Sequence, residues 1–401
     1  MGMLVTREQD VRSAFEALSN DSLRLASALD EHIRRHFAPE RRKAMRLLPS
    51  TEVADLLGMT PQHLRTIRHE GRIPDVGSED ARRSIHFTAE DVWEIRKALE
   101  SRARKRGRYV PGRQEGEGLQ ILAVTSFKGG SAKTTSSASI ATGLALHGYR
   151  TLIVDLDPQA SLSTIMGVEP ESDALTRPTI YDAIRYEDRR SMRDVVRPTF
   201  LHNLHVAPAA LVLSEFEQFS AFHAMQRSAD EPWFLRLKTA ISEVEADFDV
   251  VIIDCPPSLG FLTMTALVAA TSLVIPVIPS MIDVDSLSQF LRMATDMLGV
   301  LMEHGASFDY DFVRYVIARY EPTDAPQTQL AAFLRTQFGD RVMTSPFLKS
   351  TVVSDAGMTN QTLYEINRGD VTRSAYDRAR ESFDAVVREV EMLMDRAWGR
   401  D

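Results

Sequence analysis

The stretch Gln120-Ile-Leu-Ala-Val-Thr-Ser-Phe-Lys-Gly-Gly-Ser-Ala-Lys-Thr-Thr135 decides the fold. An apolar run, Ile121 to Val124, ends in Thr125 and Ser126, and two adjacent glycines, Gly129 and Gly130, precede Lys133-Thr134-Thr135. This is the pattern of a buried strand that leaves the core, wraps a phosphate and enters a helix. Glycines let successive backbone N–H groups turn inward onto an anion, and the helix beyond adds its positive N-terminal end. With Ser131 and Thr135 completing the cradle, Lys133 is placed to reach the β- and γ-phosphates and Thr134 to ligate Mg²⁺. The general phosphate-loop pattern has Gly at its first and sixth positions, where this chain has Phe127 and Ala132. If Ala132 takes positive φ, its Cβ costs about 1–2 kcal/mol. Nucleotide binding with weak hydrolysis is the expectation.

Two further apolar runs end in carboxylates. Thr151 to Val154 leads into Asp155-Leu156-Asp157-Pro158-Gln159, and Val250 to Ile253 leads into Asp254-Cys255-Pro256-Pro257. Continuous apolar strands of this kind are buried on both faces, as in a parallel sheet, and ligands sit at the C-terminal edge of such a sheet. The fold class is therefore α/β, a doubly wound and mostly parallel sheet. A lone Asp at a strand end is ordinarily a helix cap or a solvated turn; it is the recurrence that argues for a site. Ser272 to Ile275 is another apolar run, followed by Pro276 and Pro279.

Lys128 stands immediately before the glycine pair, giving Lys-Gly-Gly-x-x-Lys-Thr-Thr, which resembles the deviant loop of the ParA/MinD class of dimerising ATPases. The resemblance implies ATP and Mg²⁺ as cofactors. It implies that Lys128 reaches the partner subunit's nucleotide, that Asp157 and Asp254 hold the metal, that Asp157 also positions the attacking water, and that Pro279 runs beside the adenine. A later segment, Leu348-Lys349-Ser-Thr-Val-Val-Ser-Asp-Ala-Gly357 followed by Gln361 to Glu365, is similar to the large plasmid-borne branch, in particular the RepA proteins of RepABC replicons. For that branch the implied activity is plasmid partition: a homodimer formed on ATP, non-specific DNA binding to which Lys349 contributes, repression of its own operator, and hydrolysis stimulated by a ParB/RepB-like centromere-binding partner. A cytoplasmic, nucleoid-associated protein is implied with it.

The 401 residues suffice for two or three domains, and the single cysteine, Cys255, excludes a disulfide framework or a multi-cysteine cluster within one subunit. No secretory apolar core opens the sequence and no run of 18 apolar residues occurs, so no membrane association is expected. The net charge of −9 conceals an asymmetry: residues 41–113 hold 17 Lys/Arg against 10 Asp/Glu, whereas 119–401 hold 25 against 37. A basic segment of that kind suits a polyanion.

Residues 1–40 carry helical apolar spacing at Val11, Phe15, Leu18, Leu23, Leu25, Leu29 and Ile33, a pairing arm or a helix packed on its own domain. Residues 41–100 read as a winged helix-turn-helix reader. Ser50 caps a short helix, Gly58-Met59 turns the chain, and Thr60-Pro61 starts a second helix bearing Gln62, His63, Arg65, Thr66 and Arg68. Thr60 and these five, with Arg82 and Arg83 on the approach to a short strand, are the candidate DNA contacts, and Thr88 to Asp91 starts a further helix. Residues 101–118 read as a basic hinge whose five cations between 102 and 108 suit phosphates without sequence preference. Residues 119–401 form the ATPase domain. A MinD-like membrane-cycling ATPase is the rival within the class, but the amphipathic stretch 380–401 balances its basic residues with acidic ones. An ATP-binding repressor with little turnover is the other rival.

Overall fold

A computed structural model describes residues 16–17, 19–25, 27–28, 43–81, 83–126, 128–226 and 231–400. Residues 1–44 form one unit, and within it residues 16–17, 19–25 and 27–28 are helical; Val11, Phe15, Leu18, Leu29 and Ile33 lie outside the described residues. Residues 45–401 form the second unit.

That unit opens with a three-stranded antiparallel sheet in the order β1 (Leu48–Pro49), β3 (Ile85–Phe87), β2 (Ser78–Glu79). Two helices, α1 (Ser50–Leu56) and α2 (Pro61–His69), sit between β1 and β2, and α3 (Ala89–Glu100) follows β3. Local sequence sets each boundary. Gly58 takes φ +63 in the α1–α2 turn. Thr60 Oγ1 accepts from the His63 N–H, with Pro61 at the first helical position. Thr88 and Asp91 form a reciprocal capping box on α3. Ser50 differs from expectation: α1 begins at Ser50 itself, whose hydroxyl donates to the Ile85 carbonyl at 2.8 Å and so ties α1 to β3 instead of capping it.

The larger sheet has seven strands: β4 (Gln120–Val124), β5 (Thr151–Asp155), β6 (Arg197–Pro198), β7 (Leu204–Ala207), β8 (Val250–Asp254), β9 (Ser272–Val277) and β10 (Phe312–Ile317). Their order is β10-β9-β4-β8-β5-β7-β6, parallel throughout except for the edge pair β6–β7. Strand side chains alternate between faces. Leu122, Val124, Ile153 and Ile252 accordingly enter one hydrophobic core while Ile121, Ala123, Leu152 and Ile253 enter the other. On the first face lie α4 (Lys133–His147) and the C-terminal helix α9 (Arg373–Ala397). The remaining helices used below are α5 (Ser161–Ile165), α6 (Ser214–Gln226), α7 (Phe261–Ala269) and α8 (Met281–Glu303).

The small sheet and its helices share the first core with α4 and α9. Polar contacts fix the junction. Arg96 of α3 is 4% exposed and donates to the carbonyls of Leu56 at the end of α1 (2.7 Å), Leu146 near the end of α4 (3.1 Å) and Tyr109 (2.9 Å). Glu52 of α1 is gripped by Arg46 and Arg380 at 2.7 and 2.8 Å. Burial alone pushes its carboxyl up, but the two guanidiniums outweigh it and hold the pKa below the ordinary value.

Residues 101–118 are fastened along their length, where the composition reads as a hinge. The Glu100 carboxylate accepts from the N–H groups of Gly107, Tyr109 and Val110. Asp249 accepts from the Arg113 N–H, Arg400 donates to the carbonyls of Pro111 and Gly112, and Trp398 donates to that of Gly118.

Helix α4 meets α9 closely at one point, where a Cβ on Gly143 would lie 2.5 Å from Val387 Cγ2 and 3.0 Å from the Tyr364 hydroxyl. Gly143→Ala therefore lowers stability by about 1–3 kcal/mol through overpacking. Gly299→Ala, in the α8 interior with nothing within 4 Å, raises it by about 0.5–1 kcal/mol. Urea unfolding of the two variants should shift the midpoint in opposite directions.

Candidate nucleotide site

The strand order puts the ends of β4, β8 and β5 side by side, and each delivers part of the site. The loop after β4 carries Lys128 to Ala132, with Gly130 at φ +76 and Ala132 at φ +68. Ala132 thus occupies the left-handed region that glycine fills in the general pattern, so the Cβ cost is built into the loop. No heavy atom beyond the chain neighbours lies within 4 Å of where a Cβ would sit on Gly129 or Gly130, which leaves their backbone open to a ligand. Lys133 is 6% exposed, and its ammonium donates to the Lys128 carbonyl at 2.9 Å and reaches Ser131 Oγ at 3.4 Å. Burial lowers its pKa, opposed chiefly by Asp254. Thr135 follows in the first turn of α4.

Asp254, at the end of β8, is fully buried between two hydroxyls of α4. Thr134 Oγ1 donates to Oδ2 and Ser137 Oγ to Oδ1, both at 2.8 Å. Burial pushes the Asp254 carboxyl up to about 6, with those two hydrogen bonds pulling the other way. In the adjacent register position of β5, Asp155 is pushed up to about 7, by burial first and then by Asp254. Asp155 holds its own loop: Oδ1 accepts from the Asp157 N–H, and Oδ2 accepts from both the N–H and hydroxyl of Ser163 on α5. Asp157 itself accepts from the Gln159 N–H at 2.9 Å. The structure therefore brings Thr134, Lys133 and Asp254 together, while Asp157 sits on the neighbouring loop, hydrogen-bonded within that loop.

Lys128 is half-buried and paired to Asp283 of α8 at 3.0 Å. Asp283 also receives the Ser280 hydroxyl and lies four residues beyond Pro279, which is buried at the turn between β9 and α8. Ser126, Lys128, Ser131, Ile278, Asp283 and Ser286 line a narrow cleft there. On the other side, the loop after Asp254 ends at Gly260, where a Cβ would meet the Glu217 carboxylate at 2.5 Å. Glu217, on α6, accepts from the N–H groups of Phe261 and Leu262 and so caps α7 from another element.

An oxygen set of threonine hydroxyl and carboxylate suits Mg²⁺, a hard cation that takes few protein ligands and keeps company with phosphates. Thr134 and Asp254 supply that set beside a loop whose backbone can take phosphate. The residues present fit a Mg²⁺–nucleoside triphosphate.

The candidate DNA contacts other than Lys349 lie between residues 60 and 83. Gln62, His63 and Arg65 are exposed on α2. Thr60 caps that helix and Thr66 Oγ1 returns to the Gln62 carbonyl, so both hydroxyls have local partners. Arg68 pairs with Asp75 at 2.8 Å. Arg83 is exposed at φ +60, and Arg82 lies outside the described residues, as does Phe127. Lys349 pairs with Glu321 at 2.8 Å on the surface.

Residues 119–299 match the AAA-domain family. A putative replication protein A from Rhizobium rhizogenes is 44% identical over 378 residues, 94% of this chain and 93% of the relative. The chromosome partitioning protein ParA of Caulobacter vibrioides is 31% identical over 240 residues, 59% of this chain and 84% of the relative. The chain belongs to the ParA family of partition ATPases. Among solved structures, one titled as a partition protein covers 96% of this chain and 99% of its own at a TM-score of 0.67 and 17% identity, a likeness of fold. A cobyrinic acid a,c-diamide synthase from Mycobacterium smegmatis with bound ADP and magnesium reaches a TM-score of 0.52 at 27% identity, covering 68% of this chain and 96% of its own.

Against this ParA-type site, sequence reading missed Ser137, Asp283, Glu217 and the role of Asp155. Ser137 stands three residues after Thr134, on the same face of a helix, which is a readable signal. Asp283 and Glu217 come from distant helices, and nothing in their local sequence marks them.

Burial of Asp254 and the backbone strain at Ala132 each have a measurable consequence. Asp254 has a folded pKa raised above its ordinary value, so the folded state holds more protons than the unfolded state between about pH 4 and 6, and stability falls as pH rises through that window. Thermal melts of the nucleotide-free chain from pH 4.5 to 7.5 should show this loss, and Asp254→Asn should lessen it. Ala132→Gly relieves the left-handed alanine at the expense of added backbone freedom, a net gain of about 1 kcal/mol readable as a raised Tm.

Proposed function

We propose that this chain is a DNA-segregation ATPase that dimerises on ATP, coats DNA non-specifically to position a plasmid cargo, and represses its own operon through the reader at 41–100. The observation that carries the reading is Lys128. It is a second lysine at the mouth of a phosphate loop, half-buried and restrained by one ion pair, while Lys133 alone occupies the interior.

Bound ATP·Mg²⁺ supplies the transferable phosphoryl group and neutralises its charge. The chain's own residues do the rest. Lys133 and the N–H groups of Gly129 to Thr134 hold the phosphates, Thr134 and Asp254 hold the metal, and the Asp155-braced loop carries Asp157 as the group that orients water. In a facing pair of subunits, Lys128 leaves Asp283 and meets the partner's phosphates, so only the triphosphate state closes the dimer. A DNA surface that includes Lys349 is then complete only in the dimer. A centromere-binding partner of the ParB type stimulates turnover and resets the cycle. Gln62, His63 and Arg65 read base edges in the operator, and Thr66, Arg68 and Arg83 contact the backbone. The strained Ala132 favours slow intrinsic turnover, and ATPase assays with and without DNA and partner measure it.

The test is a pair of variants. Lys128→Ala is expected to retain ATP binding by calorimetry and to lose ATP-dependent binding to random-sequence DNA by tenfold or more. Asp283→Asn frees Lys128 and should promote ATP-dependent dimerisation in light scattering. If Lys128→Ala coats DNA as the parent does, the cross-subunit role is wrong.

A further inference from the structure

The segment between reader and ATPase is the most cationic in the chain: Arg102, Arg104, Lys105, Arg106 and Arg108 fall within seven residues, and residues 101–113 contain no Asp or Glu. Five like charges repel at this spacing, and a tethering function would be served as well by Gly and Ser. The structure nonetheless fixes the run in one place. The Glu100 carboxylate folds it back by accepting from Gly107, Tyr109 and Val110 at 2.6, 2.7 and 3.2 Å, and Gly107 takes φ +78 to make the turn. Arg102 donates to the Arg72 carbonyl at 2.7 Å. Arg72 closes the C-terminal end of α2, its N–H bonded back to the Ile67 carbonyl.

The loop is thereby seated against the end of the helix that the proposed function assigns to the major groove. Arg104, Lys105 and Arg106 are exposed on it, and among the described residues none of the three makes an ion pair. Arg108 lies over the Tyr109 ring at 5.2 Å.

We propose that residues 102–108 form a built phosphate-binding arm of the reader, which grips the DNA backbone beside the groove that α2 enters. The inference rests on the reader assignment and adds to it a second contact surface and its partner, the duplex backbone. Phosphate contacts give affinity and register but no sequence information, and each adds about 0.9 to the slope of log affinity against log salt. Because the loop is already folded, little ordering entropy opposes its docking.

The test uses the full chain without nucleotide, so that dimer-dependent binding is absent. The triple variant Arg104→Ala/Lys105→Ala/Arg106→Ala is compared with the parent on a random-sequence duplex and on the duplex the parent selects from a random pool. The salt slope is expected to fall by about 2–3 on both duplexes, with the ratio of their affinities and ATP binding unchanged. Glu100→Gln, which keeps every cation but weakens the fold-back, is expected to lower affinity at unchanged selectivity. An unchanged slope in the triple variant overturns the proposal. So does loss of anionic-vesicle binding in that variant with DNA binding intact, which assigns the cations to a membrane. Gln62→Ala/Arg65→Ala separates the two readings: if it leaves selectivity intact while the triple variant loses slope, the reader assignment to α2 fails and the arm stands.

Discussion

A helix gathers partial positive charge at its first turn and negative charge at its last, and α4 is held by both ends. Its N-terminus closes the phosphate loop and places Lys133 and Thr134 at the edge of the sheet. Near its C-terminus the Leu146 carbonyl meets the buried guanidinium of Arg96 on α3. The helix is 15 residues long, about 22 Å, with no irregular segment within it. The phosphate loop and α3 are thus joined through one helix, and the large sheet and α9 pack against it. Along its length α4 approaches α9 closely at Gly143, where a Cβ would lie 2.5 Å from Val387 Cγ2.

Around the first turn of α4 the chain keeps several groups paired or strained. Asp254 is buried and shared between two hydroxyls, and Lys133 is turned onto a backbone carbonyl of its own loop. Lys128 rests on Asp283, and Ala132 sits in a backbone region disfavoured for its side chain. The first three arrangements satisfy a charged group locally, and each of those groups has affinity for phosphate or metal; the fourth carries backbone strain.

Much of the core was legible beforehand for a simple reason. Strands buried on both faces need apolar residues at every position, so β4, β5, β8 and β9 announce themselves as unbroken runs, and carboxylates at their ends mark the ligand edge. Thr60-Pro61 and Thr88 to Asp91 were equally readable, because capping is decided within four residues. Ser50 was misread as a cap because its partner, Ile85, is 35 positions away. Residues 101–118 read as a hinge because composition reports solvation and flexibility in isolation, whereas their partners Asp249, Trp398 and Arg400 come from elsewhere in the chain.

Sequence by itself determined the alternating α/β order, the phosphate loop, the carboxylate pairs and the charge asymmetry, since each depends on neighbours within a few residues. Tertiary structure alone decided that Asp283 restrains Lys128, that Glu217 caps α7, and that Arg96 and Glu52 tie α3 and α1 to α4 and α9. The physical reason is range. Backbone conformation and burial pattern follow local steric and hydrophobic rules, but a buried charge is satisfied by whatever carbonyl or carboxylate the folded chain brings within 3 Å. Arg96, Glu217 and Asp283 carry no mark in their flanking residues of the partner each will meet.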